Sequence, residues 1–357
     1  MKRQFLAFMF ALASALPATG ADMKIGLAAP LSGDQALLGT QMLDGATEAA
    51  AASGALRQLA IVNDACTAEG GEAAARKLVE DGVSIVIGFL CTEAIEAALP
   101  VLTEAGIPVI TSGVRTDGLT DRKERTGWSV FRIAPRADFE RAAVASILTD
   151  RWREELFAIV DDGTIYGREL AESLRFAAEE ESLSPVFVDT FRPQLDNQIA
   201  LVGRLRQAGA THVFAGGDRD DVAIMTRDAA ELGVPLVFAG GETLRSAPGA
   251  VDLAPGTLMV ALPDWSKQAP KAVLDRFTTR EIEPEGYVLP TFAAFEIADA
   301  VLQEAEKGAG DLAGIIDGLE FQTAIGPVAF DEKGDLSRNP YILFRYDGDQ
   351  FLPVGEP

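Results

Sequence analysis

From Lys24 onward the chain alternates between short apolar runs and longer segments that are polar on one side. The stretches "KIGLAAPLSG", "LAIVNDAC", "VSIVIGFLC" and "IPVITSG" are apolar nearly throughout and end in Gly, Pro, Ser or Asp. They read as strands buried on both faces. Between them, "TQMLDGATEAAAASG", "GGEAAARKLVEDG" and "TEAIEAALPVLTEAG" read as helices. The last contains Pro100, which predicts a kink. The rhythm then repeats. "ELFAIVDDG", "SPVFVDTF", "ATHVFAGG" and "VPLVFAGGE" read as strands, and "GRELAESLRFAAEEE", "DNQIALVGRLRQAG" and "DDVAIMTRDAAELG" as helices. Strands alternating with helices of this length predict parallel sheets with crossover helices, hence an α/β protein of two doubly wound units.

Two segments share one order. "VSIVIGFLCTEAIEAALPVLTEAGIPVITSG" and "ATHVFAGGDRDDVAIMTRDAAELGVPLVFAGGE" each read strand, polar loop, helix, Gly–β-branched–Pro, strand, polar loop. Ligands of open α/β sheets bind beyond the carboxyl ends of the strands. Four loops meet that description: Cys91 with Thr92, then residues 111–115, 216–218 and 240–242. If the two units face each other, all four line one cleft. Helices that start after Cys91 and Gly217 aim free N–H groups at it, which suits a carboxylate. Glu242 suits an ammonium. Opposite signs on opposite walls describe a clamp for an α-amino acid.

Composition narrows the partners. Lys and Arg number 31 against 54 Asp and Glu, a formal charge of −23. Phosphate backbones repel such a chain, so nucleic acid is excluded as a partner and anionic membrane surfaces are disfavoured. The opening "MKRQFLAFMFALASALPATGADMKIG" places Lys2 and Arg3 before an apolar stretch too short to span a bilayer. Small residues follow, and residues 1–21 read as a secretory signal, which predicts a soluble periplasmic protein. An oxidising compartment favours a disulfide between Cys66 and Cys91, with two buried thiols as the alternative. His212 lies in an apolar run without evident partner ligands, and no metal or cofactor is expected.

The chain resembles the periplasmic amino-acid-binding proteins of ABC transporters, specifically the leucine/isoleucine/valine-binding family. The resemblance runs through "IGLAAPLSGDQALLG", "NDACTAEGGEAAARKLVEDGVSIVIGFLC", "GIPVITSG", "VFRIAP", "DDGTIYGRELAESL", "FAGGE" and "GPVAFDEKGDL". It implies a type I periplasmic binding fold: two lobes joined by a three-strand hinge and closing on ligand. It also implies a monomer served by a membrane permease and ATPase. By the resemblance the crossings fall near "RIAPR", "VALPDW" and "FRYDG". That assigns 22–135 plus 265–344 to the first lobe and 136–264 plus 345–357 to the second.

The resemblance also assigns roles. Thr92 holds the ligand carboxylate, although an N-cap explains it too. Glu242 binds the ammonium, against the alternative of a solvated loop carboxylate. Tyr166 lines the cleft or packs at a helix start. Ser112 and Gly113 offer backbone groups or form a plain turn. Leu38 touches the ligand side chain or belongs to the core. Two positions depart from the family: Arg115 stands where branched-chain binders have threonine, and Asp218 with Arg219 follows the Gly-Gly where they have tyrosine. Arg115 paired with Asp117, and Asp218 capping its helix ahead of Asp221, are the structural alternatives. If both face the cleft, the pocket is more charged than leucine requires, and a polar amino acid or another carboxylated small molecule fits better.

An enzyme finds little support. "GAGDLAG" has the wrong spacing and context for a dinucleotide loop, and no G-x-S-x-G elbow occurs. A ligand sensor reporting to a receptor would share the same fold and cleft, so the sequence leaves importer and sensor both open.

Overall fold

Apolar runs without alternation need cover on both faces, and the computed structural model of the protein supplies it. It describes residues 23–54 and 57–355; the predicted signal segment, residues 1–21, lies outside the described residues. Strands β1 (Lys24–Ala29), β2 (Leu59–Asn63), β3 (Val83–Gly88), β4 (Val109–Thr111) and β5 (Val130–Arg132) form a parallel sheet in the order β2-β1-β3-β4-β5. The inner strands β1 and β3 are buried almost throughout, whereas edge strand β2 is only partly covered. Helices Ala36–Ala52 and Val288–Glu306 pack on one face. Helices Ala68–Glu80 and Thr92–Glu104 pack on the other. The last of these runs unbroken across Pro100.

The second sheet repeats the plan. It contains β6 (Phe157–Asp161), β7 (Phe187–Thr190), β8 (His212–Gly216), β9 (Val237–Gly240) and β10 (Leu258–Ala261), all parallel. After a hairpin of β11 (Phe321–Thr323) and β12 (Gly326–Val328), two antiparallel strands complete it: β13 (Ile342–Tyr346) and β14 (Phe351–Pro353). The order is β14-β13-β10-β9-β8-β6-β7. Helices Phe139–Arg151 and Ile165–Glu180 cover one face, and Ile199–Ala208 and Arg219–Glu231 the other. Every apolar run singled out from the sequence is a strand, and both lobes are doubly wound.

The chain passes between the sheets three times: after β5, after β10 and ahead of β13. The third passage corrects the expectation that placed it near "FRYDG", with a lobe boundary between residues 344 and 345. Residues 342–345 pair without interruption with Ala261, Val260, Met259 and Leu258, so β13 belongs whole to the second sheet. The passage therefore falls at residues 337–341.

Two passages are anchored by charge. Arg132 Nε donates to Asp335 at 2.8 Å, Arg136 Nη1 to the same carboxylate at 2.9 Å, and the Thr120 hydroxyl to it at 2.8 Å. Arg132 and Asp335 are fully buried. A buried pair of this kind stands only because both members are paired and hydrogen-bonded. Asn339 Nδ2 then donates to the carbonyl of Phe139 at 2.7 Å, which ties the third passage to the first.

Cys66 and Cys91 are joined, with Cα atoms 5.2 Å apart. The bond links the loop after β2 to the start of helix Thr92–Glu104. Closing a loop of 25 residues is worth about 3 kcal/mol in the chain-entropy account. Reductant is therefore expected to lower the melting temperature by roughly 5–10 °C; a melting curve indifferent to reductant would remove that contribution.

Glu296, on helix Val288–Glu306, accepts from the Ala324 N–H at 2.6 Å. Burial nevertheless pushes its carboxyl up to about 7 from an ordinary 4.5. The folded-state pKa lies above the unfolded one. The stability Glu296 contributes is thus fully present below about pH 4.5 and lost as pH rises through 7, by at most about 3 kcal/mol. Glu296→Gln should melt higher than the wild type at pH 8 and equal to it near pH 4.5. A difference of the same size at both pH values would contradict this.

Candidate functional site

Parallel strands deliver their carboxyl ends to one edge of each sheet, and the residues singled out from the sequence lie there. Leu38 follows β1, Thr92 follows β3, and Ser112, Gly113 and Arg115 follow β4. Tyr166 follows β6, Asp218 follows β8 and Glu242 follows β9. The first group belongs to one lobe and the second to the other.

One hydrogen-bonded chain joins the two groups. Arg115 Nη2 donates to the Tyr341 hydroxyl, and that hydroxyl donates to Glu242 Oε2 at 3.2 Å. Arg115 Nε donates to the Pro135 carbonyl at 3.2 Å, and the Ala137 N–H donates to the Arg115 carbonyl at 2.9 Å. The guanidinium thus rests against the first passage and reaches the third. Tyr341, in the third passage, is 4% exposed and sits between a cation of one lobe and a carboxylate of the other.

Glu242 opens a single 3₁₀ turn, Glu242–Arg245, directly beyond β9. Its backbone N–H donates to Glu140 Oε1 at 2.7 Å, and the Tyr166 hydroxyl donates to the same oxygen at 2.6 Å. The Thr243 hydroxyl donates to the Gly217 carbonyl at 2.8 Å, which holds the ends of β8 and β9 together. Side-chain ends crowd Gly241. A Cβ there would lie 2.4 Å from the Tyr166 hydroxyl oxygen and 2.5 Å from Glu140 Oε1.

Burial sets the protonation of this cluster. It pushes the Glu140 carboxyl up, against the two hydrogen bonds that favour the carboxylate. Burial also raises the phenols of Tyr166 and Tyr341, with Glu140 and Glu242 respectively adding to the effect, so both remain hydroxyl donors. For Arg115, burial opposes the charge; Tyr341, Glu242 and Glu140 more than offset it and leave the guanidinium above its ordinary value. Burial raises Tyr287 as well, with Arg115 acting in the other direction.

The other candidates divide. Thr92 is the first residue of its helix, with Cys91 at the N-cap position. Its half-buried hydroxyl has no hydrogen-bond partner among the described residues. The Ser112 hydroxyl is 2.9 Å from that of Thr291 and the residue is 2% exposed, so its side chain belongs to the lobe interior. Gly113 passes so close to β3 that a Cβ would lie 2.8 Å from the Phe89 carbonyl oxygen. Leu38 is half-buried in the first turn of helix Ala36–Ala52. Asp218 stands at the N-cap of helix Arg219–Glu231, but it is exposed and its side chain makes no cap hydrogen bond. Arg219 turns inward, donating to the Leu244 carbonyl at 2.7 Å beneath the 3₁₀ turn. Asp117 lies 3.7 Å from Arg136 and 3.8 Å from Arg141 rather than pairing with Arg115.

Sequence reasoning missed Tyr341, Glu140 and Tyr287. Tyr341 follows "RNP" in a stretch given no role from the sequence, and Glu140 sits in the first turn of helix Phe139–Arg151. No local pattern marks either; only the third passage brings Tyr341 to Glu242.

Residues 22–350 match the model of a family described as periplasmic binding protein. The chain is 28% identical over 347 residues to Leu/Ile/Val-binding protein homolog 3 of Brucella melitensis biotype 1, covering 93% of each chain. It is 25% identical over 363 residues to the leucine-, isoleucine-, valine-, threonine-, and alanine-binding protein of Pseudomonas aeruginosa, covering 98% of this chain and 96% of that one. The fold is also similar to the solved structure of an ABC transporter substrate-binding protein from Desulfitobacterium hafniense in complex with Leu. There the TM-score is 0.63 at 20% identity, covering 93% of this chain and 99% of that chain.

Tyr341→Phe removes the hydroxyl shared by Arg115 and Glu242 and leaves both without that partner. Chemical unfolding of the ligand-free protein should show a loss of about 1–3 kcal/mol. An unchanged midpoint would mean that water replaces the hydroxyl at no cost.

Proposed function

The chain belongs to the periplasmic binding protein family, which spans nearly all of it, and from that premise we propose that it is the extracytoplasmic solute-binding component of an ABC importer. Its cargo is an amino acid, and its partners are a membrane permease with its ATPase. It works as an exported monomer after removal of residues 1–21. Its work is capture rather than chemistry.

The observation that supports this reading is the hydrogen-bonded link from Arg115 through Tyr341 to Glu242, with that cation, that carboxylate and the Thr92 hydroxyl each lying beyond the carboxyl end of a parallel strand. Thr92 and the first-turn N–H groups of helix Thr92–Glu104 are free to receive an α-carboxylate. Glu242, whose side chain is held only by the Tyr341 hydroxyl among the described residues, is free to receive an α-ammonium. A ligand that bridges both walls favours the closed arrangement of the lobes by its differential contacts with it.

Each grip has a scale. A charge-assisted hydrogen bond in a closed cleft contributes roughly 1.5–3 kcal/mol net. Glu242→Gln should therefore weaken amino-acid binding by about 10- to 150-fold while the backbone contact to Glu140 and the fold survive. Calorimetric titration of wild type and variant, after native mass spectrometry to identify a copurified ligand, checks it. Equal affinities would take Glu242 out of the site.

A further inference from the structure

We propose that Arg115 is a specificity-determining residue and that the cargo is an amino acid with a second carboxylate on its side chain. The inference rests on the clamp described above and names the ligand class for it. One carboxylate cannot balance two cations. In the ligand-free protein Glu242 balances Arg115 through the Tyr341 hydroxyl. A ligand ammonium that takes Glu242 removes that balance and leaves the guanidinium without a counter-charge.

Among the described residues the other acid in the field of Arg115 is Glu140, whose carboxyl burial presses toward the neutral form and away from that role. Glu140 Oε1 already accepts from Tyr166 and from the Glu242 N–H, and the residue is 7% exposed. Asp117, two positions along the loop, lies against Arg136 and Arg141. Arg115 meanwhile keeps donors in reserve. Its Nε and one Nη2 hydrogen are engaged, and Nη1 has no partner among the described residues.

These facts weigh against an aliphatic cargo. As the lobes close, a leucine side chain would strip water from the guanidinium and offer no acceptor in return. A side-chain carboxylate presents two oxygens to a planar fork that matches them. Its extra negative charge also closes the balance among Arg115, Glu242 and the ligand ammonium. The α-carboxylate keeps its own place at Thr92.

The test is calorimetric titration of the mature protein, freed of ligand by unfolding and refolding, with aspartate, glutamate, glutamine and leucine. Wild type should bind one of the two acids about 30-fold or more tightly than glutamine or leucine. Arg115→Met should cut the acid-over-leucine preference by about 100-fold. Arg115→Lys, which keeps the charge and loses the fork, should retain a reduced preference, and it carries the test if the methionine variant does not fold. Leucine binding tighter than both acids in wild type would overturn the proposal. So would an Arg115→Met variant that weakens acid and leucine by the same factor, because Arg115 would then hold the α-carboxylate common to all. A wild type that binds none of the four would overturn the clamp, and this inference with it.

Discussion

A guanidinium screened from water has to find an acceptor, and that demand organises the centre of this protein. It is met twice. Arg132 and Arg136 share the carboxylate of Asp335, which pins the end of β5 to the turn ahead of the third passage. Arg115 finds the Tyr341 hydroxyl, which leads to Glu242 on the opposite lobe. The first is buried at Arg132 and Asp335 and extends outward through Arg136 to Asp121 and Asp138. The second leaves Arg115 Nη1 without a partner among the described residues.

The two walls differ in kind. The first lobe presents neutral donors, the Thr92 hydroxyl and a helix start, together with the Arg115 charge. The second presents carboxylates and phenols. Burial holds Tyr166 and Tyr341 in the hydroxyl form and presses Glu140 toward its neutral form. Glu242 is the acid of that group set at the end of a strand rather than inside a helix, with one side-chain contact among the described residues.

Much of this was legible before any coordinates. Strands buried on both faces announce themselves as unbroken apolar runs, and their carboxyl ends then locate the loops that carry Thr92, Arg115 and Glu242. The Cys66 and Cys91 pairing followed from their being the two cysteines of a chain read as exported. What stayed hidden depends on contacts distant in sequence. Tyr341 lies 226 positions from Arg115 and 99 from Glu242, and nothing in "RNPYILFRY" marks its hydroxyl. Ser112 was assigned for its backbone groups, and nothing in the sequence signalled that its side chain turns back to Thr291. The third passage was misplaced because only the resemblance put it near "FRYDG", whereas the break between lobes comes earlier, where Asn339 donates to the carbonyl of Phe139.

That same Asn339 contact sets the mechanics of the molecule. Residues 133–137 are held to the first lobe by Thr111, Arg115 and Asp335, and residue 337 by the Ala329 carbonyl. In the proposed closure, the first and third passages leave rotation to the bonds around Asp138 and Pro340, with Asn339 tying the two strands of chain together. In a lever so arranged, displacement grows with distance from the axis. In that closure Arg115 and Tyr341, in contact with the passages, would travel little. The rim would swing through the larger arc, so any discrimination that depends on how far the lobes come together would be exerted there.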